Sequence, residues 1–104
     1  YQTFFKNADS TVKLKRLVLK PRHKISMQLH NSRSELWFVE AGNGNLNTIE
    51  DGKPKVVATL GPLELVNVES KQIHQLENTS ATKDMIVVEI QYGDYCDESD
   101  IIRL

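Results

Sequence analysis

Short runs of alternating apolar and polar residues follow one another along the chain, and the spacing of an amphipathic helix is hard to find. Such alternation gives a strand one apolar face, and turn-forming residues between the runs separate one strand from the next. The predicted strands are 12–20, 24–29, 35–40, 46–50, 55–60, 63–68, 73–76 and 85–91. Many short strands with regular turns predict an all-β sandwich or barrel.

Two local signals add detail to this pattern. Asp51 and Gly52 lie between two apolar runs, which is typical of a tight β-hairpin. In segment 12–20 the apolar phase changes near Arg16. This change predicts either a β-bulge or a strand that is buried on both faces.

The second half of the chain contains the most apolar run. Residues 85–90 read MIVVEI, which predicts a strand buried on both faces. Ile101 and Ile102 follow an irregular acidic segment, and we expect them to dock on the barrel. Trp37, in an aromatic and branched strand, is expected in the core.

Composition places the chain among ordinary globular proteins. It has 104 residues, of which 39% are hydrophobic and 26% are charged. This size fits one domain, so we expect residues 1–104 to form a single domain. Because the sequence does not begin with Met, we expect this domain to belong to a longer chain. The net charge of −1 offers no basic excess, which argues against a nucleic-acid partner.

The sequence also bears on location. No apolar stretch approaches the about 20 residues of a membrane helix, and no signal-peptide pattern is visible. Cys96 is the sole cysteine, so no intrachain disulfide forms, which fits a reducing compartment. We therefore expect a cytoplasmic protein with no membrane partner.

Four residues could meet at one metal ion. Gln28 and His30 are two residues apart, so they share one face of a strand, and Glu35 follows on the next strand. His74 lies far along the chain, next to a polar turn. Imidazole nitrogens and carboxylate or amide oxygens are ordinary ligands of zinc and its neighbours. Spacing alone leaves open that these are ordinary core or surface side chains.

The wider spacing resembles the two cupin motifs. Segment 28–42 resembles the first motif, with Gln28 in the place of its first histidine. Segment 61–78 resembles the second motif, which ends in His-x-x-x-Asn, here His74 and Asn78. The resemblance implies a single cupin barrel, which is a double-stranded β-helix of the jelly-roll type.

Glutamine in the first ligand position narrows the resemblance to the C-terminal domain of type II mannose-6-phosphate isomerases, often fused to mannose-1-phosphate guanylyltransferase. The likeness is carried by KLKRLVLKP at 13–21, SMQLH at 26–30 with Arg33, Glu35 and Trp37, HQLEN at 74–78, and YGDYCDESDIIR at 92–103. The chain departs from the family where histidines are usual, at Asn31, Ser32 and Leu36.

This resemblance implies that the chain interconverts mannose 6-phosphate and fructose 6-phosphate in polysaccharide precursor synthesis. Gln28, His30, Glu35 and His74 would hold one divalent metal ion, with zinc expected first and manganese, cobalt, nickel or iron as alternatives. Arg33 and Glu35 would be catalytic, and Lys13, Lys15 and Arg33 would bind substrate, with Arg33 at the pocket mouth. From the residues alone, Arg33 is interpreted as a solvated turn charge, and for the two lysines solvated edge charges stay an open alternative.

Two alternative functions stay open. The missing histidines motivate a metal-binding cupin without isomerase activity, such as a sugar-sensing or regulatory module. The other alternative is a different cupin enzyme that modifies nucleotide-linked sugars. The expected partners are a small sugar phosphate, a second copy in a homodimer, and a fused nucleotidyltransferase domain in a longer chain. The sequence does not identify the catalytic base.

Overall fold

The computed structural model describes residues 2–6, 12–30, 33–93 and 101–104. These residues form strands and no helix, as the alternating pattern predicts, and none of their elements is a helix long and apolar enough to cross a membrane. The strands are β1 (Gln2–Lys6), β2 (Val12–Leu19), β3 (Gln28–His30), β4 (Arg33–Ala41), β5 (Gly44–Glu50), β6 (Lys53–Leu60), β7 (Leu65–Val68), β8 (Gln75–Asn78), β9 (Met85–Gly93) and β10 (Ile101–Arg103).

The strands form three antiparallel sheets. The largest has the order β1-β2-β9-β4-β7, the second has the order β6-β5-β8, and β10 pairs with β3. Strands β2, β9 and β4 are neighbours in the largest sheet although they are far apart in the chain. This order brings the inward faces of three strands side by side.

The inward faces of β4 and β9 change from polar to apolar along their length. On β4 the buried positions begin with Arg33 and Glu35 and continue with Trp37 and Val39. On β9 they run the other way, from Met85 and Val87 to Glu89 and Gln91. The antiparallel register pairs Glu35 with Gln91 and Val39 with Val87. Polar halves therefore meet at one end of the barrel and apolar halves at the other.

The apolar end is the hydrophobic core, to which both larger sheets contribute. Its buried members are Leu19, Trp37, Val39, Leu46, Leu60, Val68, Leu76, Met85 and Val87. Trp37 is fully buried, as predicted. Burial of these side chains is the main source of stability, because apolar area removed from water contributes roughly 25 cal/mol per Å².

The predicted hairpin is confirmed. Asp51 and Gly52 connect β5 to β6, with φ of 53° and 77°. Both values are left-handed, as a two-residue type I′ turn requires. The pair Glu50 and Lys53 closes the ladder beside the turn.

Two predicted strands have ends that differ from those in the structure. In segment 24–29, Lys24 forms an isolated bridge with Glu77, and β3 begins only at Gln28. In segment 73–76 the strand starts only at Gln75, and His74 forms an isolated bridge with Gln28. Apolar alternation therefore predicted the location of these strands better than their ends.

The phase change in β2 has a different cause from the predicted bulge. The register of β2 with β9 is continuous from Val12 to Leu19, and the irregularity lies in β1, between Thr3 and Phe5. One face of β2 is more deeply buried, whereas its other face is half-buried up to the exposed Val18. The alternative of burial on both faces is thus nearer to the structure. The same holds for β9, whose outward face is half-buried.

The end of the described chain returns to the barrel as predicted. β10 pairs with β3, with Ile101 opposite His30 and Arg103 opposite Gln28. The amide of Leu104 donates to the carbonyl of Met27 at 2.8 Å. The expectation for Cys96 concerns a position outside the described residues.

Asn78 explains why the second motif ends in asparagine. Its side-chain amide donates to the carbonyls of Leu19, Lys20 and Lys83 at 2.8–3.1 Å, and its oxygen accepts from the amide of Ser80 at 2.9 Å. The residue is fully buried. It therefore ties the end of β8 to the end of β2 and to the turn before β9.

Replacing Asn78 by alanine should destabilise the fold. The Asn78→Ala variant leaves several buried backbone groups without partners, so we expect the free energy of unfolding in urea to fall by about 2–4 kcal/mol. The matched control is Asn43→Ala at an exposed position, where we expect a change within about 0.5 kcal/mol. Equal losses in the two variants would contradict this role of Asn78.

Candidate metal centre and cavity

The candidate ligands come together where β3, β4 and the His74 bridge meet. Gln28 and His74 exchange two backbone hydrogen bonds of 3.0 and 2.8 Å, so their side chains lie on the same face. His30 lies two residues after Gln28 and on the same face. Glu35 lies two residues after Arg33, the first residue of β4, and also faces inward. His30, Glu35 and His74 are each at most 2% exposed.

The three buried side chains are in direct contact. His30 Nε2 lies 3.0 Å from Glu35 Oε2, and His74 Nε2 lies 3.4 Å from Glu35 Oε1. One donor atom from each of the three lies within 4.8 Å of the other two. Two nitrogens and one carboxylate oxygen at this separation match the donor set of a mononuclear zinc-type site.

The orientation of His74 fits a metal ligand. Its Nδ1 lies 2.9 Å from the backbone carbonyl of Gln72, which can only accept, so Nδ1 carries the hydrogen. In the neutral ring, Nε2 then presents a lone pair to the Glu35 carboxylate, and this buried atom has no hydrogen-bond partner. Two acceptors that face each other in a buried place need a cation between them. The residues present therefore fit a divalent metal ion.

Gln28 stands beside this cluster on the wall of a cavity. Its amide nitrogen donates to the carbonyl and the hydroxyl of Ser26, at 3.3 and 3.1 Å. These two hydrogen bonds use the amide nitrogen and not the amide oxygen. The oxygen is the atom a metal ion would take.

Arg33 lies in the centre of the site, so the prediction that it lies at the pocket mouth is wrong. Its Nη2 lies 3.2 Å from both His30 Nε2 and Glu35 Oε2, and the side chain is 2% exposed. The reason is its position on β4, two residues before Glu35 and on the same inward face. Its Nε and Nη1 are buried and make no hydrogen bond with the residues described. Two unused donors of a buried guanidinium favour an anionic or oxygen-rich ligand.

A cavity of about 140 Å³ opens beside the cluster. Its charged and polar wall consists of Lys15, Gln28, Arg33, Glu35, Glu89, Gln91 and Arg103. Lys15 is 4% exposed, which rules out its interpretation as a solvated edge charge. β2 is flanked by β1 and β9, so it is not an edge strand. Lys13 is half-buried on the same strand and does not belong to this wall.

Glu89 and Gln91 are site residues that sequence reasoning missed. Trp37 Nε1 donates to Glu89 Oε1 at 3.0 Å, and Gln91 Nε2 donates to Glu89 Oε2 at 2.7 Å. The sequence did contain an indication of this, because Glu89 and Gln91 alternate with the same two-residue spacing as the buried Met85 and Val87 and so lie on the same face of β9. A polar residue on the buried face of a strand calls for a functional explanation.

The two buried carboxyl groups have opposite pKa shifts. Burial alone raises the pKa of Glu35, but its contacts with the His30, His74 and Glu89 side chains outweigh burial and hold that pKa well below its usual range. Burial and the neighbouring Glu35 charge raise the pKa of Glu89 to about 7. Burial lowers the pKa of His74, yet its contact with Glu35 raises it overall. At neutral pH the negative charge therefore lies mainly on Glu35.

The shift of Glu89 predicts how stability depends on pH without metal. Because its folded pKa exceeds its unfolded value, its contribution to stability is lost as pH rises from about 4.5 to about 7. The Glu89→Gln variant should lack this loss, which amounts to at most about 1.4 kcal/mol per pH unit. Denaturation in urea with a chelator, at a series of pH values, measures the difference.

The matched control is Glu50→Gln, since Glu50 is exposed at the end of β5. This variant should follow the parent at every pH. If Glu89→Gln also follows the parent, the buried carboxyl does not titrate as described.

Comparison with protein families identifies a match over nearly the whole chain. A family described as "Mannose-6-phosphate isomerase C-terminal" matches residues 2–104. A curated relative, mannose-1-phosphate guanylyltransferase of Salmonella muenchen, is 34% identical over 88% of this chain and 18% of its own length. The chain spans about a fifth of the length of the curated relatives it matches.

Solved structures identify the fold. The capsular polysaccharide assembling protein CapF of Staphylococcus aureus superposes with a TM-score of 0.80 at 20% identity, over 98% of this chain and 30% of that one. An uncharacterized protein with a double-stranded β-helix domain from Klebsiella pneumoniae gives 0.80 at 13% identity, over 97% and 75%. The predicted cupin fold, a double-stranded β-helix, is therefore confirmed.

Proposed function

Because the chain belongs to the family of mannose-6-phosphate isomerase C-terminal domains, we propose that it is a metal-dependent aldose–ketose isomerase acting on mannose 6-phosphate and fructose 6-phosphate. One observation carries the proposal: the buried cluster of His30, Glu35 and His74 adjoins a cavity into which Arg33 brings unused donors. Such a cavity combines a cation site with groups that bind oxygen anions.

In this proposal Gln28, His30, Glu35 and His74 hold one divalent ion, with zinc first and manganese, cobalt, nickel or iron as alternatives. When bound, the ion would polarise a sugar oxygen and stabilise negative charge on it. Arg33 Nη2 lies 3.2 Å from His30 Nε2, the atom that would bind the ion. With an ion bound there, Arg33 would give up this contact, keep its attraction to Glu35 and have one more donor for substrate oxygens.

The chain's own residues supply the remaining chemistry. Isomerisation passes through an enediol-like state with negative charge on two neighbouring oxygens, and Arg33 is placed to stabilise that charge. Lys15 adds a second buried cation on the cavity wall. The proton that moves between the adjacent carbons needs a carrier, and the wall offers the carboxyl groups of Glu35 and Glu89.

The proposal extends to the setting of the chain. The names of the relatives and their greater length support a fused nucleotidyltransferase domain in a longer chain. The substrate would be a small sugar phosphate in the cytoplasm, used for polysaccharide precursors. The proposal includes a homodimer, by analogy with cupin barrels that pair through their edge strands.

A metal-binding cupin without isomerase activity is the second candidate. It is favoured by the loss of the usual histidines at Asn31, Ser32 and Leu36. Leu36 lies on the outward face of β4, opposite Asn67 and Ile90, so this change leaves the cavity wall intact. Asn31 and Ser32 lie outside the described residues. A different sugar-nucleotide enzyme is the third candidate, given the relatives' names.

Removing one of the proposed ligands should weaken metal binding. We expect His30→Ala and His74→Ala to bind zinc or manganese at least about tenfold more weakly than the parent, measured as metal content after dialysis. The matched control is His23→Ala, because this third histidine is exposed and contacts the carbonyl of Pro21. Equal metal content in all three variants would show that His30 and His74 are not metal ligands.

The reaction itself is tested with a coupled assay for fructose 6-phosphate formation, with divalent metals supplied one at a time. Arg33→Lys should keep its metal but lose about 10²–10³-fold in kcat/KM, since it loses the forked donors. Arg22→Lys, at an exposed turn, is the control and should keep full activity. A folded, metal-loaded parent without activity would instead support the candidate that lacks isomerase function.

A further inference from the structure

The C-terminal strand brings a third cation to the cavity. β10 pairs with β3 so that Arg103 lies directly opposite Gln28, and Ile101 opposite His30. Residues opposite one another in an antiparallel pair point to the same face. Arg103, Gln28 and Ile101 accordingly all line the cavity.

The three cations differ in depth. Arg33 and Lys15 are 2% and 4% exposed, whereas Arg103 is exposed. Arg33 contacts the His30 and Glu35 side chains directly, so it belongs to the inner end of the cavity. Arg103 forms no ion pair with any residue that the structure describes. A ligand in the cavity thus meets one guanidinium among the metal ligands and another at the opening.

One buried and one exposed guanidinium in the same cavity suit a molecule with two different ends. In a hexose 6-phosphate the reacting carbons are the first and second, whereas the phosphate is carried by the sixth. If the reacting carbons lie at the metal cluster, the phosphate must extend towards the opening. A guanidinium suits a phosphate there because it offers paired donors in a fixed plane.

We propose that Arg103 binds the phosphate of the substrate at the mouth of the cavity, leaving Arg33 to the reacting oxygens. The inference rests on the proposed function for the identity of the sugar, but not for the binding of a phosphate group. Since Arg103 is placed by the pairing of β10 with β3, the phosphate site exists only when the C-terminal strand is docked.

The test compares Arg103→Gln with the parent in two measurements on the metal-loaded protein. In the isomerase assay, we expect KM for fructose 6-phosphate to rise about 10–100-fold while kcat stays within about threefold. In a titration followed by nuclear magnetic resonance, inorganic phosphate should bind the variant at least about tenfold more weakly. Fructose, which has no phosphate, should bind both proteins equally.

Two further variants separate charge from structure. Arg103→Lys keeps the cation but loses the paired donors, so it should bind phosphate more weakly than the parent and more tightly than Arg103→Gln. Binding no tighter than in Arg103→Gln would mean that the charge at this position does not hold the phosphate and would overturn the assignment. Arg22→Gln removes an exposed arginine elsewhere and should bind phosphate like the parent. Equal losses in Arg22→Gln and Arg103→Gln would indicate a general charge effect and overturn it as well.

The outcomes of these experiments test the phosphate site separately from the proposed isomerase activity. An active isomerase whose KM and phosphate binding are unchanged in Arg103→Gln refutes the role of Arg103 and leaves the proposed function standing. A parent without isomerase activity, whose phosphate binding still depends on Arg103, refutes the isomerase and supports the phosphate site.

Discussion

The site depends on the burial of one carboxylate. Glu35 is 2% exposed and holds its negative charge because two histidines, Arg33 and Glu89 surround it. An uncompensated charge in such a place would cost several kcal/mol, so the strands that bring these partners must pack together for the fold to be stable. The same carboxylate faces the Nε2 atoms of two imidazoles, which makes the cluster suitable for a cation. Stability and the proposed chemistry thus share one interaction.

The register of the large sheet keeps this cluster apart from the hydrophobic core. Because Glu35 lies opposite Gln91 and Val39 opposite Val87, the inward faces of β4 and β9 change character at the same level. A slip of one residue would turn every inward side chain outwards, so the two halves of each strand fix the register together. Trp37 stands at the boundary, since its ring packs in the core, edge-on to His74, and its Nε1 donates to Glu89. Through this one hydrogen bond from Trp37, the core therefore positions the polar end of the barrel.

The cavity has an inner end and an outer end with different chemistry. The inner end carries Arg33 and Glu35, which contacts the two buried histidines, whereas the exposed Arg103 of the last strand lines the opening. A substrate that reacts at one end and carries a charge at the other would use both. The departure from the family pattern at Leu36 falls on the outward face of β4, so it does not alter this division.

Sequence by itself determined most of the strand pattern, although not β1, and the hairpin at Asp51 and Gly52, because alternation and turn chemistry act over a few residues. The cupin fold and its candidate set of Gln28, His30, Glu35 and His74 followed from the resemblance of two segments to family motifs. Only the tertiary structure placed Arg33 at the centre of the site, added Glu89 and Gln91 to its wall, and brought Arg103 to its opening. Strand order and register decide those positions, because they join β2, β4, β9 and β10 across long stretches of chain. No local pattern encodes which distant strands become neighbours, since that choice depends on how the whole barrel buries its apolar faces.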